Sequence, residues 1–148
     1  MNIIIVGCGK VGQTITQELV KEKNNITVID INANNLRAVS DTDVMCITGN
    51  GATYAVQKEA GIESADLLIA VTDSDELNLL CCLITKKAGN CQTIARVRNP
   101  DYADELDADL GDVEEYLFSD EDEEDDISDE ELDKLFGGFF KMLADSLE

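Results

Sequence analysis

A buried strand that runs straight into a glycine-rich turn leaves a chain few folds to adopt. Residues 3–12 read Ile-Ile-Ile-Val-Gly-Cys-Gly-Lys-Val-Gly, an apolar run followed at once by G-x-G-x-x-G. A helical pattern follows, and Asp30 closes the next apolar run 18 residues after Gly12. Together these form a dinucleotide-binding fingerprint, and each part has a mechanical reason. Gly7 permits a tight turn, Gly9 lets backbone approach a pyrophosphate, and Gly12 lets the helix pack close to the strand. The helix start then offers N–H groups and a partial positive charge to phosphate.

The rest of the first hundred residues alternates strand and helix. Residues 2–6, 26–30, 44–47, 67–71 and 93–97 read as strands, and 113–118 as a sixth, edge strand. Helices are predicted over 11–23, 33–40, 54–60, 75–88 and, opened by Pro100, about 101–109. Most of the strands are apolar on both faces, which implies a parallel sheet covered by helices on both sides. Right-handed crossovers give an α/β doubly wound six-stranded sheet of order 3-2-1-4-5-6, a Rossmann fold. Ligand is expected across the carboxyl ends of the first and fourth strands, where the polar turns converge.

A chain of 148 residues is one domain by size. No apolar run approaches the ~18 residues needed to span a membrane, and residues 2–8 lack the basic flank of a signal peptide. The five cysteines (Cys8, Cys46, Cys81, Cys82, Cys91) form no C-x-x-C pair, and there is no histidine. This argues against zinc and a disulfide framework and suits a reducing cytosol. Cys81-Cys82 reads as packing on a helix, with a redox role as the other reading.

The net charge of −21 is unevenly placed. Residues 1–100 carry 11 acids and 9 bases, and residues 101–148 carry 21 acids and 2 bases. Such a tail argues against nucleic acid or an anionic membrane as its direct partner. The organisation expected is a nucleotide-binding domain over 1–118 and, over 119–148, an acidic linker plus a short amphipathic helix. Asp120–Asp126 is an unbroken acidic run, after which Leu132, Leu135, Phe136, Phe139, Phe140, Leu143 and Leu147 recur at helical spacing. Gly137-Gly138 interrupts that helix at about 2 kcal/mol. It has three readings: packing back on its own domain, docking on another subunit, or an unusual terminus.

Several blocks go beyond a generic fingerprint. They are Ile-Ile-Val-Gly-Cys-Gly-Lys-Val-Gly at 4–12, Val-Ile-Asp at 28–30 and Thr-Gly-Asn-Gly-Ala-Thr at 48–53. Glu-Ala-Gly-Ile-Glu-Ser-Ala-Asp follows at 59–66, Ile-Ala-Val-Thr-Asp-Ser-Asp-Glu-Leu-Asn at 69–78 and Ala-Arg-Val-Arg-Asn-Pro-Asp-Tyr at 95–102. In these the chain resembles the TrkA N-terminal domain, also called the RCK or KTN domain, from Met1 to about Leu117. Asn50 stands where many relatives carry Asp. Relatives usually continue into a second lobe, and here the acidic tail follows instead, so the expectation is a subunit that either works as an N-lobe alone or borrows a C-lobe from a partner.

The resemblance implies a regulatory subunit of a Trk/Ktr-type potassium uptake system. It would gate a membrane potassium transporter or channel subunit by binding NAD(H) or, alternatively, ATP/ADP. It would be cytoplasmic and peripheral to the membrane through that partner, with no nucleic acid partner. A homo-oligomer, a dimer or a higher ring, is expected through the helix over 101–109 and the sheet edge near it.

The expected site comprises Gly7, Cys8, Gly9, Lys10 and Val11 as the phosphate loop, with Gly12 supporting it. Asp30 would read the ribose hydroxyls and repel a 2′-phosphate, favouring NAD(H) over NADP(H). Lys10 either neutralises outer phosphates or is solvated. By the resemblance Thr72 and Asp73 line the nucleotide, with capping of the next helix by Asp73 or Asp75 as the competing reading, and Asn50 and Thr53 line the adenosine side. Arg96 lies near the nucleotide or a facing subunit, with a structural salt bridge as the competing reading. No catalytic residue and no metal site is expected, and a minimal NAD-dependent oxidoreductase is the alternative function.

Overall fold

In the computed structural model the described residues are 1–89, 91–99 and 101–102, with the backbone of 114–117. The chain alternates β1 (Asn2–Val6), α1 (Lys10–Lys21), β2 (Asn25–Asp30), α2 (Ala33–Leu36), β3 (Met45–Thr48) and α3 (Tyr54–Glu59). A 3-10 turn (Ile62–Ser64) then leads to β4 (Leu67–Ala70), α4 (Asp75–Ala88) and β5 (Gln92–Val97), and β6 (Glu114–Leu117) runs along β5. All pairings are parallel, in the order β3-β2-β1-β4-β5-β6. The doubly wound order of the first five strands is the one the sequence predicts. Most of the helix expected over 101–109, and the acidic segment 119–148, lie outside the described residues.

Strand alternation sorts the core into two layers. Ile3, Ile5, Ile26, Val28, Leu67 and Ile69 cluster with Val11, Ile15 and Leu19 of α1. Ile4, Val6, Ile29, Leu68, Ala70 and Val97 cluster on the other face with Cys81 and Cys82 of α4. Each fully buried aliphatic side chain stabilises the fold by about 1.5–3 kcal/mol. The centre of the sheet therefore supplies most of the driving force and holds the loops at its carboxyl end in place.

β3 lacks the two-sided burial of the central strands: only Ile47 is buried, and Met45 is 60% exposed. It is the edge of the sheet, where the order 3-2-1-4-5-6 puts it, and an edge strand has less cover. The helix expected over 33–40 stops at Leu36, and three-residue turns carry the chain on to Ser40. Its Asn34-Asn35 pair has weak helix propensity and its first turn hangs on the Asn32 cap.

Cys8, Cys81, Cys82 and Cys91 are buried thiols, and Cys46 is exposed. Burial pushes the thiols of Cys81 and Cys82 up to about 12, so neither is a thiolate near neutral pH. This supports packing as the role of the adjacent pair. Native chain treated with iodoacetamide at pH 7.5 should take up one label, at Cys46, as read by mass spectrometry. Rapid labelling of Cys81 or Cys82 would overturn that assignment.

Candidate functional site

The turns that follow β1, β2, β3 and β4 converge on a cleft of about 200 Å³ at the carboxyl end of the sheet. Gly7 makes the first turn possible. Its φ is +108° and its N–H donates to the Ile29 carbonyl at 2.8 Å. A Cβ there would sit 2.9 Å from the Val71 carbonyl carbon and oxygen. Gly12 faces the same loop from α1, and a Cβ on it would overlap the Gly7 carbonyl oxygen. Gly9 differs, because a Cβ there would meet no atom within 4 Å. The space above Gly9 is open, as the approach of a phosphate requires.

Gly9 is also the N-cap of α1, which has no side-chain cap and no acid in its first turn. The helices α2, α3 and α4 are capped by Asn32, Thr53 and Ser74. The first turn of any α-helix leaves N–H groups without intrahelical acceptors. In α1 these lie beside the cleft, with the partial positive end of the dipole.

Asp30 sits opposite, at the end of β2, and is 9% exposed. Its Oδ2 accepts from the Cys8 N–H at 2.8 Å and its Oδ1 from the Asn32 N–H at 2.8 Å. Asn35 Nδ2 lies 3.3 Å from both oxygens. The carboxylate is thus oriented by three residues, two of them cleft-lining asparagines. Cys8 contributes its backbone to Asp30 while its side chain is buried in the core. Its role is to tie the glycine loop to β2.

The remaining walls come from the turns after β3 and β4. Asn50 lines the cleft, and its Oδ1 accepts from the Ala52 N–H at 3.0 Å. Gly49 and Gly51 flank it, because a Cβ on Gly49 would come within 2.9 Å of Val56 Cγ2 and one on Gly51 would run into Val6. Thr53 donates from Oγ1 to the Asn50 carbonyl and caps α3. Thr72 and Asp73 line the far wall. Thr72 is locked by Asn78, a fully buried side chain. Asn78 Oδ1 accepts from the Thr72 N–H (2.8 Å) and from Thr72 Oγ1 (2.6 Å). Its Nδ2 donates to the carbonyls of Thr72 (3.1 Å) and Arg96 (2.9 Å). The Asp73 carbonyl accepts from Arg98 Nη2 at 2.6 Å.

Gly7, Gly9, Asp30, Asn50, Thr72 and Asp73 are therefore brought together around one cleft. Lys10 is exposed at the first position of α1, and Val11 and Gly12 face inward under the loop. Arg96 is 5% exposed. Strand alternation puts it with Ile94 on the α1 side of the sheet, and it does not line the cleft. Ile31, 75% exposed on the cleft rim, and the pair Asn32 and Asn35 were missed. An exposed isoleucine directly after a strand-ending acid was the available signal. A larger recess of about 630 Å³ opens at the opposite end of the sheet, beside Asn25, Thr27, Met45 and Gly61. Neither the G-x-G-x-x-G turn nor the start of α1 lines it.

Among the described residues no cluster of His, Cys, Asp and Glu is disposed to hold a metal ion, and no helix is long and apolar enough to cross a membrane. The sequence matches the TrkA-N domain family over residues 3–113. The Trk system potassium uptake protein TrkA of Vibrio alginolyticus is 41% identical over 110 residues, 73% of this chain and 24% of that protein. This chain thus spans about a quarter of that relative's length. Among solved structures, the AMP-bound Kef C-terminal domain of Shewanella denitrificans superposes with a TM-score of 0.70. It is 20% identical, over 80% of this chain and 72% of that one. The NAD-bound GsuK channel gives 0.67 at 20% identity, over 80% of this chain and 21% of that one.

Proposed function

The chain belongs to the TrkA-N domain family, and from that premise we propose that it is a nucleotide-binding regulatory module. It takes NAD(H), or an adenine nucleotide such as ATP or ADP, in the cleft over Gly7, Gly9 and Asp30. It acts on the cytoplasmic side of a membrane potassium transporter, in an oligomer. The transporter rests on the name of the Vibrio relative. Nucleotide as the ligand is supported by the cleft and by the ligands of the Kef and GsuK structures.

The observation that carries the reading is the open space at Gly9, at an uncapped helix start, facing a pre-oriented carboxylate. These residues fit a dinucleotide. The α1 start would take the pyrophosphate and Asp30 the ribose hydroxyls. Ile31 would offer an apolar surface to a base. Bound nucleotide would regulate as a conformational ligand, shifting an equilibrium by its differential affinity for two states.

An oxidoreductase would need an acid or base at the reacting carbon. The ionisable side chains among the described residues lining this cleft are Asp30 and Asp73, and Asp30 is held by three hydrogen-bonding neighbours. Binding without turnover is the better reading, and steady-state assays for hydride transfer would separate the two.

Calorimetric titration of the chain with NADH, NAD, ATP and ADP tests the proposal. At least one should bind with micromolar affinity, and Asp30→Ala should weaken it tenfold or more, about 1.4 kcal/mol. Asp30→Asn keeps an acceptor for the Asn32 N–H, so a folded Asp30→Asn chain that has also lost affinity assigns the effect to the carboxylate. No binding by any of the four, or equal binding by the variants, would overturn the reading.

A further inference from the structure

The cleft over the glycine turn is poor in positive charge. Among the described residues its ionisable lining side chains are Asp30 and Asp73, with no lysine or arginine. What it offers an anion is the start of α1, worth roughly half a charge. Lys10, exposed at the head of that helix, adds one more. This suits the pyrophosphate of a dinucleotide. It is a weak holder for the further charges of a triphosphate.

The sheet brings a much larger charge to the same end. β6 lies three strands from β1 and runs parallel to β5. Val6 is level with Ala70, Ala70 with Ala95, and Leu117 with Val97. Leu117 therefore stands two residues beyond the level of Val6, abreast of the glycine turn. Three strand spacings separate them, about 14 Å. The chain leaves β6 at this end, and Asp120 follows three residues on, within about 11 Å of Leu117. Every residue from Asp120 to Asp126 is acidic. Seven negative charges are thus tethered beside a site that must receive an anion.

We propose that the acidic run 120–126 makes ligand selection in the cleft depend on ionic strength. It acts through its field, so its effect is graded by ligand charge. ATP carries about three more negative charges than NAD near neutral pH. At low salt the run holds off ATP and leaves NAD nearly untouched. The Debye length is about 14 Å in 0.05 M salt, as long as the separation, and about 4 Å in 0.5 M. Rising salt therefore silences the run and lets the more highly charged nucleotide in. A site that binds anions through attraction alone behaves the other way, losing its preference for high charge as salt rises. The inference rests on the cleft taking nucleotides, as proposed above. In a module acting on a potassium transporter, it would tie nucleotide choice to the salt content that transport itself changes.

Calorimetric titration of the whole chain with NAD and with magnesium-free ATP, at 0.05 M and 0.5 M sodium chloride, tests it. In the wild type the ratio of the ATP to the NAD dissociation constant should fall about tenfold as salt rises. A variant with all seven acids replaced by their amides, from Asp120→Asn to Asp126→Asn, should show that lower ratio already at 0.05 M. Its NAD affinity should stay within about threefold of wild type, and its ratio at 0.5 M should match the wild type. A wild-type ratio that is flat or rises with salt would overturn the proposal without need of the variant. An amide variant with the wild-type ratio at 0.05 M would overturn it too, as would binding of ATP alone at 0.05 M or of NAD alone at 0.5 M. In each of these results a nucleotide still binds, so the reading of the cleft survives. Binding of neither at either salt would overturn that reading, and this inference with it.

Discussion

Gly12→Ala is expected to destabilise the fold by about 3 kcal/mol, and to lower the thermal midpoint by about 10 °C. The new methyl group would overlap the Gly7 carbonyl oxygen and lie 2.8 Å from the Gly7 carbonyl carbon. Both are backbone atoms, so no rotamer change relieves the clash. Gly7 cannot retreat, being held by its hydrogen bond to Ile29 and by Val71 on its other side. The alternative is to lift α1, which would draw Val11, Ile15 and Leu19 off the sheet. One effect opposes this, since alanine inside a helix is favoured over glycine by about 1 kcal/mol. That gain is smaller than the loss, so the sign is settled. Urea or thermal unfolding followed by circular dichroism reads the result. A midpoint within a degree or two of wild type would mean that the strand–helix contact is looser than the structure has it.

Gly9→Ala, three residues earlier, should do the reverse. Its Cβ meets nothing within 4 Å, and its φ of −74° and ψ of −164° are open to any residue. Exchange of Gly for Ala at an N-cap costs up to about 1 kcal/mol, so stability should stay near wild type. Affinity for nucleotide should fall by about a hundredfold, some 2.7 kcal/mol. The methyl group would stand where the pyrophosphate must approach the helix start. Parallel calorimetry and urea melts test both halves. Wild-type affinity in a folded Gly9→Ala chain would place the phosphate somewhere other than over this turn.

The contrast between those two glycines was legible in the sequence, because their spacing carries different jobs for each position. Asp30 was legible for the same reason, as an acid closing the second apolar run. Arg96 was harder. The sequence located it near the end of β5, and alternation puts it on the same face as Ile94, but that this is the α1 side of the sheet is known only once the helices are in place. Asn78 was missed although a trace of it was readable. Residues 78, 81, 82 and 85 share one helix face, so Asn78 and Thr85 stand among cysteines on the buried side of α4. A polar group there must be hydrogen-bonded. Its partners, at the ends of β4 and β5, are brought beside it only by the fold. Gln57 is a similar case: fully buried, it donates to the carbonyls of Gly51 and Cys81 and ties α3 to α4. Long-range partners of this kind leave no local pattern in a sequence.

The central place of β1 bears on how the chain is made. Ile3–Val6 is paired on one side with β2, complete by Asp30, and on the other with β4, which ends at Ala70. During synthesis one edge of the first strand therefore waits about 40 residues for its second neighbour, a few seconds at ~5–20 residues per second. In that interval a strand of four consecutive aliphatic residues exposes unpaired backbone along a fresh half-sheet, a surface that templates wrong pairings. Nascent chains that stall before residue 70 are the ones expected to need a chaperone, whereas chains that pass it can close the sheet on both sides of β1.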